Sequence, residues 1–148
     1  MQYINIIDYI LLPVYLYIFY LIVRRRSVNY ADADLRKIML IAFLLRMLGS
    51  VGYSLMVQYY YGYGDTFTFY YGSNFLRDHV LQNTDNIKYF FSSAADFKNW
   101  FDMEVGDINY SGYFGVASNL FVMKISAVVS FLSFNCFLII SVIFGFFS

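Results

Sequence analysis

Residues 4–26, INIIDYILLPVYLYIFYLIVRRR, decide what kind of protein this is. Twenty residues from Ile4 to Val23 are interrupted only by Asn5, Asp8 and Pro13. As a helix rising about 1.5 Å per residue, the stretch reaches roughly 30 Å, the thickness of a bilayer's hydrocarbon core. Pro13 removes one backbone donor, which membrane helices tolerate when neighbouring groups satisfy the freed carbonyl. The run stops at Arg24-Arg25-Arg26. A cleaved signal peptide carries its positive cluster before its apolar run, so this order predicts an anchor that stays.

Composition extends the same reading to the rest of the chain. Of 148 residues, 60% are apolar and 14% are charged, against about one quarter charged in soluble domains. So much apolar surface exceeds what one small core can hide. With a net charge of zero, nothing in the composition suggests a nucleic-acid partner, and none is expected. One cysteine, Cys136, excludes an internal disulfide, and with a single histidine no zinc-ligand spacing exists. The expected metal set is therefore none.

A second apolar run covers residues 38–57, after Arg36 and Lys37. Asp32 or Asp34 is placed to cap the helix that carries it. The link from Arg24 to Lys37 holds five of the ten basic residues. By the positive-inside rule it faces the cytoplasm, which puts the N-terminus outside. The segment 58–119 is then an external loop, with three basic residues against seven acidic ones. It opens on Tyr59-Tyr60-Tyr61-Gly62-Tyr63, the composition of an interfacial aromatic belt. Phe67–Val80 is predicted as a helix capped by Asp65 or Thr66. Tyr89–Phe101 is predicted as another, lying on the membrane with Phe90, Phe91, Phe97, Trp100 and Phe101 pointing into it.

The final segment, 120–148, has 29 residues. That is about 43 Å of helix against a core of about 30 Å. Ser133-Phe134-Asn135 is the expected break, giving a short embedded or re-entrant helix over Leu120–Leu132 and a third span from about Cys136. The expected fold is all-α and polytopic: transmembrane helices at 1–23 and 38–57, the cytoplasmic link 24–37, the external loop 58–119, and the broken third span at 120–148. No basic residue follows that span, which suggests the beginning of a longer protein.

Few residues point to chemistry. In Gly62-Tyr63-Gly64-Asp65-Thr66 the glycines permit a sharp turn, and Asp65 sits where loop becomes helix at the membrane surface. There it is a general base toward a hydroxyl, a ligand to a metal bound to a lipid phosphate, or simply an N-cap. Arg46, mid-way along the second run, either serves a site, snorkels or pairs. Lys124 lies in a similar position near the start of the last segment, where snorkelling to the outer surface is the expected reading. His79 lacks a matching ligand set, and Asp102, Glu104 and Asp107 read as a solvated cluster.

The order of these features resembles a known group. Arg46 is followed by Tyr59-Tyr60-Tyr61-Gly62-Tyr63-Gly64-Asp65-Thr66-Phe67 and Tyr70-Tyr71-Gly72, then by Phe121-Val122-Met123-Lys124-Ile125 with Ser133-Phe134-Asn135. This resembles the N-terminal part of long polytopic envelope proteins of Bacteroidetes-type bacteria, which are similar to GT-C membrane glycosyltransferases and exopolysaccharide polymerases. The resemblance implies the bacterial inner membrane, a polyprenyl-phosphate-linked sugar as donor, Asp65 as the catalytic acidic residue of the first external loop, and Arg46 and Lys124 toward the lipid phosphate. It names no cofactor. GT-C enzymes have more spans than this chain supplies, and the paired acidic residues of several GT-C families are absent, since Thr66 follows Asp65. The alternative expectation is a non-enzymatic membrane subunit packing against larger partners in an envelope complex. A transporter fragment, motivated by Arg46 and the broken last segment, ranks third.

Overall fold

A computed structural model describes residues 3–30, 32–62, 64–105 and 108–148. Within them the chain is all-helical, with no strand. It forms two compact units, Met1–Tyr63 with Cys136–Ser148, and Gly64–Asn135.

The first unit holds α1 (Ile6–Ser27), α2 (Ala33–Met56) and α7 (Phe137–Phe147). Asn5 and Asp8 form a capping box at the start of α1, in which the Asp8 carboxylate accepts from the Asn5 N–H at 2.9 Å. The helix runs on through Pro13 and ends just after the three arginines. Asp32 caps α2, accepting from the Asp34 N–H at 2.8 Å. One π-helical turn, Val57–Tyr61, extends α2 until Gly62 closes it at φ 68°, a value glycine adopts without strain. α1 (22 residues) and α2 with its extension (29 residues) are both long and apolar enough to cross a membrane. Their outward faces carry Ile6, Ile10, Leu44, Leu45 and Leu48, all more than half exposed. Such surface belongs against lipid, so this is a membrane protein.

α7 packs on both long helices, with Leu138, Ile139 and Val142 wholly buried. A Cβ on Gly145 would lie 1.7 Å from Ser50 Oγ, so only a glycine lets α7 approach α2 this closely. Small residues at such crossings are the usual device for packing helices where apolar burial gives no driving force. Phe146 stacks on Phe19 at 4.3 Å between ring centroids. Ahead of α7, Phe134 and Asn135 take φ of 52° and 61°, and the chain breaks between Leu132 and Phe137.

The second unit holds α3 (Asp65–Gln82), a 3-10 helix (Thr84–Phe90), α4 (Ala94–Val105), α5 (Ile108–Phe114) and α6 (Ala117–Leu132). Its core gathers Leu76, Phe97, Trp100, Phe101, Phe114 and Met123. Tyr89 lies flat on Trp100 at 3.8 Å, and Phe75 meets Phe101 edge-on at 4.7 Å, the geometry that aromatic quadrupoles favour. Gly72 on α3 leaves no room for a Cβ, which would fall 2.4 Å from the Phe114 ring.

Two expectations are corrected here. The single helix over Tyr89–Phe101 is two elements, because Ser93 caps α4: its hydroxyl accepts from the Asp96 N–H at 3.2 Å and donates to the Asp96 carboxylate at 2.7 Å. Phe97, Trp100 and Phe101 then turn into the unit's own core instead of the membrane, while Phe91 is 87% exposed.

Candidate functional site

Gly64, not Asp65 or Thr66, is the N-cap of α3, at φ 129° and ψ 175°. Only glycine adopts that backbone readily. Asp65 is thereby the first residue of the helix, and its side chain is exposed. The N-terminal end of a helix favours its negative charge. The hydroxyl of Tyr113 interacts with Asp65 through a hydrogen bond and through its charge; burial first, and then that carboxylate, push the phenol above its usual titration range. Tyr113 is itself fixed by an edge contact with Phe69 at 5.4 Å. Asn119 also holds it, donating to the Tyr113 carbonyl at 3.1 Å. The pair is an exposed carboxylate at a helix start beside the Tyr113 phenol. It can accept a proton from a hydroxyl that reaches it.

Lys124 donates to the Ser92 carbonyl at 2.7 Å. Beside it lies an open apolar groove of about 410 Å³ lined by Ile87, Phe90, Phe91, Phe121, Ile125 and Val128. Among the described residues no contact joins Lys124 to Asp65. Arg46 belongs to the first unit and faces a different groove, of about 470 Å³, framed by Val23, Met39, Ala42, Phe43 and Phe146. Its carbonyl accepts a hydrogen bond from Ser50 Oγ at 3.1 Å, and among the described residues its side chain has no ion pair.

The remaining candidates have structural places. His79 packs its ring on Phe75, 4.0 Å between centroids, and on Trp100 at 5.3 Å. Its Nδ1 meets the Phe75 carbonyl at 2.8 Å and its Nε2 lies 3.9 Å from Glu104. Asp102 pairs with Lys98 at 3.1 Å. Asp107, like Tyr63, lies outside the described residues. Among those described, no group of three metal-ligating side chains occurs.

Two residues escaped the sequence reading. Tyr113 gives no local signal, since its partner is 48 positions earlier in the chain. Asp8 reads there as an interruption of the apolar run, although its spacing from Asn5 carries the capping-box signature. It is 1% exposed, and its second oxygen accepts from the Leu138 N–H at 2.8 Å.

Among the described residues the fold is that of an all-helical membrane protein, with two helices long and apolar enough to cross a bilayer and a compact aromatic helical unit. No protein-family model matches the chain, and neither a curated protein nor a solved structure does.

Proposed function

We propose that the chain is a unit of a membrane glycosyltransferase or polysaccharide polymerase acting on a polyprenyl-phosphate-linked sugar at the outer face of the bacterial inner membrane. In this reading the N-terminus is outside, the Arg24–Lys37 link is cytoplasmic, and α6 with α7 forms a third, broken span. The observation that carries it is Asp65, exposed at the start of α3 and held by Tyr113. Asp65 acts as general base toward the acceptor hydroxyl, and Tyr113 positions it. Lys124 keeps two ammonium donors beyond its bond to Ser92 and offers them to the departing phosphate. The apolar groove beside it suits an isoprenoid chain.

The test is Asp65→Asn in the full-length protein, assayed in membranes for transfer from a polyprenyl-phosphate sugar. Transfer should fall by about 10²-fold or more while expression is unchanged. Undiminished transfer removes Asp65 from the reaction, and the reading with it.

A second reading, a non-enzymatic subunit of an envelope complex, is favoured by one observation: Asp65 and Lys124 make no contact among the described residues. It expects a larger membrane partner to co-purify with the chain, that partner to be lost when Phe91 and Phe121 are made polar, and no transfer activity in the wild type.

A further inference from the structure

Among the described residues, the basic side chains of the first unit make no ion pair. From Arg24 to Arg46 there are six basic residues against two acidic ones, Asp32 and Asp34. The ion pairs among the described residues are Arg77–Asp78 and Lys98–Asp102, with His79 3.9 Å from Glu104, all in the second unit. Arg36 donates to the Tyr30 carbonyl, a neutral acceptor. Asp8, the remaining acid of this unit, is taken up by the N–H groups of Asn5 and Leu138.

Arg46 is the extreme case. It stands thirteen residues into the 29-residue crossing helix, about 20 Å along it. An arginine at such depth requires an anion, water or a route to the headgroups. The groove it faces shows which way that route runs. Met39, Ala42 and Phe43 precede Arg46 on α2 by seven, four and three residues, and Val23 adjoins Arg24 on α1. Helical side chains lean toward the N-terminus, which for Arg46 is the direction of Met39, Ala42 and the link. Apart from Arg46 the framing side chains are apolar. An apolar groove with Arg46 on its wall, and with Val23 on the same wall leading directly into Arg24-Arg25-Arg26, is complementary to a lipid that joins an acyl chain to a phosphate.

We infer that this groove holds one anionic phospholipid from the leaflet on the side of the Arg24–Lys37 link. Its phosphate is bound by Arg46 and by the arginines that close α1, and an acyl chain lies along Met39, Phe43 and Phe146. The planar guanidinium suits bidentate binding of phosphate oxygens. Anionic lipid is preferred over zwitterionic lipid because the surplus positive charge at the mouth attracts it, each basic residue near the surface adding to the attraction. The site does not depend on the transferase reading, since it lies in the other unit and involves neither Asp65 nor Lys124.

The experiment uses the full-length protein in mild detergent, titrated with mixed micelles of dioleoyl-phosphatidylglycerol or dioleoyl-phosphatidylcholine and followed by native mass spectrometry. Wild type should retain phosphatidylglycerol over phosphatidylcholine by about fivefold or more, the factor that corresponds to one cation's surface attraction. Arg46→Gln should bring that ratio close to one, and Arg46→Lys should restore part of it. Ala42→Phe fills the groove without touching the charge and should have the same effect as Arg46→Gln, which covers the case in which Arg46→Gln fails to fold. A preference undiminished by Arg46→Gln or by Ala42→Phe, but abolished by neutralising Arg24, Arg25 and Arg26, would mean diffuse surface attraction and overturn the proposal. Equal retention of the two lipids by wild type overturns it as well.

Discussion

The carboxylate of Asp8 accepts a hydrogen bond from the backbone N–H of Leu138, 130 positions away in sequence, at 2.8 Å. Leu138 is the second residue of α7, whose N-cap Cys136 makes no side-chain capping bond. One buried carboxylate therefore caps two helices, α1 through Asn5 and α7 through Leu138. Each helix start presents donors that lipid cannot satisfy.

Asp8→Ala removes both acceptors and leaves two N–H groups unpaired in an apolar setting. The expected loss is about 2–3 kcal/mol, seen as a lower thermal midpoint in detergent. Asp8→Asn keeps one carbonyl oxygen and should lose less. Equal midpoints for wild type and Asp8→Ala would mean that water or lipid replaces the cap.

Gly145 meets Ser50 with no space for a methyl group. Gly145→Ala should cost about 1–3 kcal/mol. Ser50→Gly removes both near atoms and should make the double variant more stable than the sum of the single effects. Strict additivity in this double-mutant cycle would place the two residues apart.

The second unit offers its own reporter, because Trp100 is the sole tryptophan and is 7% exposed. Gly72→Val forces α3 away from Phe114 and Met123. The Trp100 emission should shift to the red and hydrogen exchange in α3 and α4 should rise. Gly112→Val, where a Cβ meets nothing within 4 Å, is the control and should leave the emission in place.

Tyr113→Phe separates positioning from stability. The substitution keeps the edge contact with Phe69 and removes only the hydroxyl that faces Asp65. Sugar transfer should fall several-fold, by less than in Asp65→Asn, with little change in the thermal midpoint. A drop in midpoint with unaltered transfer would assign Tyr113 a purely structural role.

How much of this was legible in the sequence depends on the range of the interaction. The two crossing helices follow from apolar runs ended by Arg24-Arg25-Arg26 and opened by Asp32, all local features. The helix over Phe67–Val80 was legible for the same reason, and α3 extends it by two residues at each end. Which way Phe97, Trp100 and Phe101 face was not. Aromatic residues in a membrane protein fit lipid and core alike, and their partners Leu76 and Met123 lie some twenty positions away on either side. The Asp65–Tyr113 and Asp8–Leu138 contacts were illegible on the same account, since no spacing rule spans such separations. The Gly64 cap was missed because Asp65 and Thr66 are better capping residues by type; the backbone angle decided in glycine's favour.

The long separation between Asp8 and Leu138 has a consequence for biogenesis. A ribosome adds roughly 5–20 residues per second, so those 130 positions occupy on the order of 10 s. Throughout that interval α1 is already made while its carboxylate has only the Asn5 donor. During insertion the first helix thus carries an acidic group whose second donor has yet to be synthesised. Either the bilayer boundary or the insertion machinery must tolerate Asp8 until α7 arrives, and the late arrival of α7 then locks α1 in place.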